Sequence, residues 1–566
     1  MLSRKLFVMM LCVFMSYRGH AQIMELDEAI RYLTGVSEIE SVDADVVENY
    51  HQLSLHPIDI NKAGRSEMES SGLFTPYQLV SLSDYIERHG QVLTMVELAS
   101  VDGFSKRNVE ALSPFITILY HPDISKVKER IRTDVFIRGG YKSDMSRHVD
   151  KSTYGLKARI DFSDRFIISF AATEPYDSMH IYPTLYTGNL VCRHSRGKII
   201  IGDFNARFGQ GLNLWNTATF SSFSAPSNFM RRPSGLAASN SFTGSTSLTG
   251  IASDLDFGRW KLAMILYAPG LKQAIAKADK VALAPVVNLN RYGDYGQCGI
   301  THSMSFSSIF TDNYRIPLMK TSLDASYCIR GVNVFGEVAF DWVQKNTDFL
   351  SGIEAPAGES GSMAALLRYR PLADERGIAL SGEHDIRNHE IVWSLDALYH
   401  PKSKRTDNRR TCQLKSQLNW LWTISDAMQI KVRLSERLRT WGTMSKCELR
   451  SDFNYHSGNW RTSLRLDALY GTQFACLGYL EAGYVARRLS AYMRYGMFKV
   501  DNWDDRIYVY ERDAPGNFNV PAFYKRGLWT SLYVSVRVSK LCKLYLRGIY
   551  KKPGNAELKL YCSLIL

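Results

Sequence analysis

The sequence lacks any apolar run long enough to cross a membrane as a helix. Its N-terminal apolar stretch, Leu6 to Met15, is about half of the roughly 20 residues that a spanning helix needs. No two cysteines have the C-x-x-C spacing of zinc or redox sites, and no Walker A, G-x-S-x-G or HExxH pattern is present. Helical membrane proteins, disulfide scaffolds and enzymes with those linear motifs are therefore disfavoured.

The N-terminus has the features of a secretory signal peptide. Arg4 and Lys5 precede the apolar run, and Gly19-His20-Ala21 supplies the small-residue cleavage site before Gln22. We therefore assign residues 1–21 to a signal peptide and predict export. We expect the cysteines beyond it to be free thiols, several of them small apolar residues on strand faces: Cys192, Cys298, Cys328, Cys412, Cys447, Cys476, Cys542 and Cys562.

Residues 22–58 are predicted to be an acidic helical segment. Leu26, Ile30 and Leu33 recur at helical spacing, which indicates one buried face. Between Gln22 and Pro57 eight carboxylates stand against one arginine. The segment is expected to extend the domain that follows.

Residues 59–116 contain the same short helical plan twice. In the first copy a short helix ends at Gly72 and a longer one runs to Gly90; the second copy turns at Gly103 and stops at Pro114. This pattern resembles the tandem helix-hairpin-helix domain of competence-type DNA-uptake receptors. The resemblance implies a small all-α domain that contacts DNA or a partner through its two hairpins.

The candidate contact residues lie at these two turns. In DNA-binding members of the family each turn is Gly-x-Gly, and its backbone amides bind a phosphate. Here Phe74 and Ser105 replace the second glycines, and eight carboxylates outnumber five basic side chains in residues 59–116. An acidic module forfeits most non-specific DNA affinity, so protein contact is favoured over DNA. The candidates are Gly72, Leu73, Phe74, Gly103, Phe104, Ser105, Lys106 and Arg107.

Beyond a linker at residues 117–130, the dominant signal has a period of two. Leu464, Leu466 and Ala468 alternate with polar residues, and similar runs of about ten residues recur to Leu566. Such strands fit a transmembrane β-barrel with a wet interior, and the length of residues 131–566 allows roughly 18 to 24 of them. The predicted fold class is therefore α + β and multidomain. A small all-α tandem helix-hairpin-helix domain in the periplasm precedes a large antiparallel β-barrel in the outer membrane.

One segment of this region carries a second resemblance. Residues 199–215, IIIGDFNARFGQGLNLW, are similar to a "GDyxxxFGQGLxLW" segment of Gram-negative envelope proteins that join a helix-hairpin-helix region to a barrel. Its glycines predict a bend or a close backbone approach. Asp203 and Arg207 share one strand face, and we name them as candidates for lumen-stabilising or substrate contacts.

Three further stretches are notable for their composition. Gly382 to Glu390 is dense in His, Asp and Glu, but its spacing matches no defined ligand set, so we predict a polar hairpin turn without metal or cofactor. His400 to Arg405 is a basic turn, either solvated or in contact with lipopolysaccharide phosphates. Asn213 to Ser241 and Leu271 to Arg291 alternate weakly, which predicts loops or internal constrictions.

Three functions remain open at this point. Residues 22–116, called the head below, are acidic, and residues 117–566 are basic. Their opposite charges predict an intramolecular contact in a transport or binding barrel, in which the head is a plug or gate or contacts an envelope protein. The resemblance to uptake receptors implies instead a DNA receptor. A barrel hydrolase acting on lipid or peptide would assemble its residues from separate strands, and no linear motif favours it. Outer-membrane lipid and lipopolysaccharide are the expected surroundings.

Overall fold

The computed structural model describes residues 26–36, 39–42, 44–119, 131–144, 148–162, 165–176, 182–216, 225–242, 246–269, 271, 282–307, 315–358, 360–403, 409–441, 445–552 and 554–566. The predicted signal peptide lies outside the described residues, and so does most of the predicted linker.

The described N-terminal part contains six α-helices and a two-stranded parallel pair. A left-handed Gly72 ends the third helix, and Thr75 begins the fourth through a capping box with Gln78. No described helix is long and apolar enough to cross a bilayer. The helices are α1 (Leu26–Thr34), α2 (Ala44–Leu55), α3 (Arg65–Ser71), α4 (Pro76–His89), α5 (Met95–Leu98) and α6 (Lys106–Leu112), and the paired strands are β1 (Ile58–Asp59) and β2 (Ile116–Thr117).

The rest of the chain is antiparallel sheet. Its strands are β3 (Ile131–Asp144), β4 (Val149–Phe162), β5 (Phe166–Glu174), β6 (Leu185–His194), β7 (Gly197–Arg207), β8 (Gly235–Ala238), β9 (Leu248–Phe257), β10 (Trp260–Tyr267), β11 (Ala284–Gly293), β12 (Gly296–Ser307), β13 (Arg315–Ile329), β14 (Val332–Asp341), β15 (Asn346–Pro356), β16 (Gly361–Arg370), β17 (Glu375–Ile386), β18 (His389–Ser403), β19 (Arg409–Ser425), β20 (Met428–Arg439), β21 (Ser445–Ser457), β22 (Trp460–Tyr470), β23 (Phe474–Val485), β24 (Leu489–Val500), β25 (Ile507–Tyr508), β26 (Ala522–Phe523), β27 (Lys525–Arg537), β28 (Cys542–Lys552) and β29 (Asn555–Ile565).

These strands close into a barrel. The last strand, β29, pairs with the first wall strand, β3, with Leu560 opposite Gly139, so the wall has no open end. The wall contains 24 strands, because β25 and β26 form a separate pair and β8 only adds to part of β7. The predicted fold class is confirmed, and the strand number is the upper end of the predicted range.

The two faces of the wall differ as the period-two pattern predicts. On β24, Met493 and Met497 are each 58% exposed on the outside, whereas Arg494 between them is 5% exposed and faces the interior. On the outside of β19, Trp420 and Trp422 stack 6.0 Å apart, as in an interfacial aromatic girdle. A closed wall with an apolar exterior and a polar interior belongs in lipid. The protein is an outer-membrane β-barrel.

The lengths of the connections orient the barrel. At the end where β3 begins and β29 ends, no turn between wall strands exceeds four residues. At the opposite end the connections include residues 208–247, 268–283 and 501–524. Short turns are periplasmic and long loops extracellular in such barrels, so the helical head, which precedes β3, lies at the periplasmic end.

Two predicted loops differ from the structure. In Leu271 to Arg291, β11 begins at Ala284, because the run from Val286 to Leu289 alternates between the two wall faces after all. In the predicted basic turn, β18 continues to Ser403, and residues 404–408 lie outside the described part of the chain. The lipopolysaccharide contact of this turn therefore stays a prediction.

Candidate gating interface

β7 leaves the wall halfway along its length. Its pairing with β6 ends at Gly202, whose φ is 108° and where a Cβ would lie 2.2 Å from Gly188 O. Only glycine fits this conformation and this close approach. Beyond it, Asp203 replaces the missing ladder bonds, since its carboxylate accepts from Gly188 N at 2.8 Å and from Thr249 Oγ1 at 2.6 Å. The buried Asp203 thus ties β7 to β6 and β9, whereas Arg207 lies at the inward end of β7.

The chain after β7 crosses the lumen and is anchored on β14. Glu337 Oε2 accepts hydrogen bonds from Gln210 N at 2.7 Å and from Leu212 N at 2.9 Å. Gly209 has φ 59°, and a Cβ there would approach the Glu337 carboxylate to 2.9 Å. Leu212 and Phe229 then pack on apolar lumen-facing residues of β14 to β17. The predicted constriction in Asn213 to Ser241 is therefore an inward-folded segment in its described residues.

The helical head has its own apolar core. Its buried residues come from all six helices and from the β1–β2 pair, and Phe74 and Phe104 meet edge to face at 6.2 Å. Thr94 and Ser105 cap α5 and α6 by accepting from the amides of Glu97 and Asn108. The tandem helix-hairpin-helix assignment stays a prediction, although short helices occupy both predicted copies.

The candidate hairpin residues are mostly engaged within the protein. Gly72 and Gly103 are left-handed, whereas Leu73, Phe74 and Phe104 are buried core residues. Leu73 N donates to Ser71 Oγ, and Phe104 N donates to Val101 O. Ser105 and Lys106 are exposed, whereas Arg107 is bound by barrel carboxylates, as shown below. The Leu73 and Phe104 amides and the Arg107 guanidinium are therefore engaged within the protein, and contact of these hairpins with DNA or a partner stays a prediction.

Carboxylates of the acidic segment lie against cations of the wall. Glu28 Oε1 lies 3.2 Å from Lys431 Nζ on β20. Glu40 Oε1 lies 2.8 Å from Arg465 Nη1 on β22 and 3.7 Å from Arg450 Nη1 on β21. Both arginines point into the lumen, so this side of the head is tied to three adjacent strands.

The opposite side of the barrel holds the head in the same way. Glu48 on α2 forms a salt bridge with Lys157 on β4, and Glu67 on α3 lies 3.1 Å from Arg193 on β6. Arg65 Nη1 donates to Gly258 O in the periplasmic turn between β9 and β10. Contacts with opposite sides of the barrel hold the head across the periplasmic mouth.

The most buried of these contacts surrounds Glu69 on α3. Its carboxylate pairs with Lys261 on β10 and accepts from Tyr292 Oη at 3.0 Å. Lys261 lies 3.4 Å from Asp254 on β9, which in turn lies 3.5 Å from Lys198 on β7. Two carboxylates and two ammonium groups are thus balanced in a site where all four residues are at most 7% exposed.

At Arg107 the head supplies the cation and the wall supplies the carboxylates, the reverse of the ion pairs above. Its guanidinium lies 2.5 Å from Glu390, 3.4 Å from Glu383 and 3.5 Å from Asp385, at the hairpin of β17 and β18. These carboxylates belong to the cluster from Gly382 to Glu390, so the predicted hairpin turn serves as the acceptor of a head cation. Within the described residues, no group of three or more His, Cys, Asp or Glu side chains could hold a metal ion.

An extracellular loop meets the head from the other mouth. The connection 501–524 folds into the lumen, where Arg547 on β28 lies 2.9 Å from Glu511 and 3.3 Å from Asp513. Gly516 N donates to His51 Nδ1 at 3.2 Å, and Tyr510 N donates to Glu40 Oε1 at 3.1 Å. The sequence patterns above did not single out this loop, although its two prolines and weak alternation were a usable signal.

The electrostatic setting of the head residues follows from these contacts. The Lys431 ammonium lowers the pKa of Glu28 to about 2, against the opposing effect of burial. Burial lowers the pKa of His51 to about 4, which keeps this side chain neutral as an acceptor. Burial alone would lower the pKa of Arg107, but Glu390 and the other carboxylates raise it instead. Glu28, His51 and Arg107 are therefore each held in one charge state near neutral pH.

The eight cysteines outside the signal peptide are free thiols in the structure. They lie on wall strands, and two of them, Cys412 and Cys447, are exposed on the outer face. No thiol takes part in the head-to-wall contacts described above.

Comparisons with known proteins return architecture only. No family model and no curated protein matches the chain. Among solved structures, the siderophore receptor PirA from Pseudomonas aeruginosa is 6% identical, with 78% of this chain and 81% of that chain covered at a TM-score of 0.43. The P pilus usher (PapC) translocation pore is 7% identical, with coverages of 77% and 99% and a TM-score of 0.37. The FrpB iron transporter from Neisseria meningitidis is 8% identical, with coverages of 77% and 81% and a TM-score of 0.37. Similarity at this level says nothing about what the present barrel carries.

Proposed function

We propose that this protein is an outer-membrane transport channel whose acidic helical head gates the periplasmic mouth. The observation that carries the proposal is the distribution of the head's ion pairs, which reach β4, β6, β10, the β17–β18 hairpin and β20 to β22. A domain held on several sides of the wall obstructs the path along the lumen. Release of these contacts would open it.

The chemistry of the interface suits a gate better than a permanent seal. The head has its own apolar core, and the contacts described above between head and wall are ion pairs and hydrogen bonds. Charged groups can be rehydrated on separation, whereas an exposed apolar face would aggregate or recruit another surface. The opposite charges of head and wall also attract before contact, which favours re-docking after opening.

Conductance in planar bilayers tests this proposal directly. Deletion of residues 22–116 should raise the single-channel conductance above that of the full chain. Glu28→Lys should raise the open probability, because it replaces the carboxylate that lies 3.2 Å from Lys431 Nζ with a second cation. The charge swap Glu28→Lys with Lys431→Glu should restore closure, which a general loss of stability would not do.

A matched control is available within the head. Asp84 pairs with Arg88 on the exposed side of α4, with side chains 50% and 70% exposed. Asp84→Lys changes the net charge of the head as much as Glu28→Lys does, but it should leave closure intact. Equal conductance of the full chain and the deletion, with both barrels folded, would contradict the gating proposal.

A further inference from the structure

A cavity of about 300 Å³ opens on the lumen side of the wall where the barrel closes. Its walls come from β3, β4 and β29 and from the start of the loop after β5. Thr153 lies near the start of β4 and Lys559 near the start of β29, so the cavity is in the extracellular half of the barrel. Arg138, Thr153, Tyr176, Lys559 and Tyr561 line it.

Arg138 is the unusual group in this cavity. It donates to Asn517 Oδ1 at 2.9 Å and to Thr173 Oγ1, and it lies 4.0 Å from the ring centroid of Phe242. All three partners are neutral, and no carboxylate of the described residues forms an ion pair with it. A guanidinium whose neighbours are all neutral can still form a charge-assisted hydrogen bond with an anion.

The charged side chains around the cavity include one more cation than carboxylates, so one bound anion would balance them. Glu557 and Asp513 lie 3.1 and 3.7 Å from Lys559, and both also lie within 3.4 Å of Arg547. Glu511 contacts Arg547 as well, so three carboxylates serve these two cations. Arg138 and Lys142, which project into the lumen from β3 on either side of Gly140, raise the count to four cations against three carboxylates. Lys142 Nζ is 5.9 Å from the ring centroid of Tyr176.

We propose that this cavity binds a small organic anion. Its carboxylate or phosphate group would pair with Arg138 in place of the neutral Asn517 oxygen, because charge-assisted hydrogen bonds are about twice as strong as neutral ones. Its ring or chain would lie against the phenol rings of Tyr176 and Tyr561, which provide the apolar surface of the cavity.

Such binding also bears on the gate. Asn517 follows Gly516, whose amide contacts His51 of the head, so a ligand that releases Asn517 disturbs the same loop that holds the head. Resting on the proposed function, this coupling makes the ligand an opener. The binding site itself does not depend on it.

Binding is tested on the full chain in detergent, with 4-fluorobenzoate as the probe and fluorine NMR as the readout. Millimolar binding is expected, with competition by inorganic phosphate. The neutral 4-fluorobenzamide has the same shape and should bind at least about tenfold more weakly, since it lacks the charge-assisted bond. Arg138→Gln should weaken 4-fluorobenzoate to a similar extent. Equal binding of acid and amide, or no binding of the acid, would overturn the proposal.

Two adjacent glycines provide a matched pair that does not touch the charges. A Cβ on Gly140 would lie 2.6 Å from Tyr176 Oη and 2.8 Å from Thr153 Cγ2, so Gly140→Ala crowds the cavity. Gly139 also borders the cavity, but its Cβ position is on the other face of β3 and has nothing within 4 Å. Binding should be lost in Gly140→Ala and kept in Gly139→Ala; equal binding by the two variants would place the probe elsewhere.

Conductance with the same probe separates the two proposals. If 4-fluorobenzoate binds and raises the open probability of the wild-type channel but not of Arg138→Gln, the coupling holds. Binding without any change in gating would remove the coupling and leave the site. The variant without residues 22–116 is already open under the proposed function, so its conductance should not change when 4-fluorobenzoate is added.

Discussion

Substitution of Glu69 by Gln is the sharpest test of how tightly the head is held. The change keeps the size and shape of the side chain and removes its charge. Tyr292 can still donate to the amide oxygen, but Lys261 loses one of its two carboxylate partners. The balanced site of two carboxylates and two ammonium groups then has one excess positive charge away from water.

The expected magnitude follows from the burial of this site. Removal of one partner of a buried ion pair costs about 3–5 kcal/mol, because the other charge stays buried without compensation. Asp254 remains 3.4 Å from Lys261 and compensates part of this loss, so we expect the lower end, about 3 kcal/mol. In a two-state gate that difference raises the ratio of open to closed channels by roughly a hundredfold.

Single-channel recording measures this ratio directly. The double variant Glu69→Gln with Lys261→Gln removes both charges and should recover most of the closed population. Asp84→Asn, on the exposed side of the head, is the control and should behave as wild type. The reasoning is refuted if Glu69→Gln gates like wild type in a folded barrel, or if the double variant opens more than the single one.

Three further predictions follow from other contacts. Between pH 6.5 and 5 the head should loosen, because histidine in the unfolded chain takes up a proton near its ordinary pKa of 6.5, whereas burial lowers the pKa of His51 to about 4. The contribution of His51 to stability is fully present above pH 6.5 and falls by about 2 kcal/mol at pH 5. The melting temperature should fall over this range, and His51→Gln should make the fall smaller. Glu337→Ala should cost roughly 2–5 kcal/mol by leaving two amides unpaired, and limited proteolysis should then cut residues 208–242; unchanged resistance would contradict the anchor. The protein should not bind labelled DNA with steep salt dependence, since Leu73 N and Phe104 N donate within the head; anisotropy showing such binding, lost in Lys106→Glu, would make it a DNA receptor.

The barrel was predictable because its signal is local and repeated. A strand with one face toward lipid and one toward water alternates apolar and polar residues, as Leu464, Leu466 and Asp467 do. Closure of the barrel requires in addition only that the last strand pairs with the first. The strand number was predictable only as a range, because hairpins and inward segments are not distinguished by alternation alone.

The candidate site was less predictable, because its contacts join residues far apart in sequence. The charge contrast between head and body was visible, but nothing local pairs Glu40 with Arg465 or Glu69 with Lys261. The cluster at Gly382 to Glu390 shows the same limit, since its carboxylates are explained only by Arg107, which lies more than 270 residues earlier. The inward path of β7 was partly visible in its glycines, whereas Glu337 as its anchor had no sequence signal.

The way in which the lumen is filled constrains the order of assembly. The head enters from the periplasmic mouth, while residues 208–216 and 225–242 and the loop 501–524 enter from the other. Arg232 and Gly516 each contact the head. The strand that follows the head, β3, is also the one to which the last strand must attach. Closure of the barrel and docking of the head therefore both depend on β3. An assembly intermediate without the β3–β29 pairing has neither a closed wall nor a filled lumen. Insertion into the membrane should accordingly be a late event that needs the last strand, β29, in place beside β3.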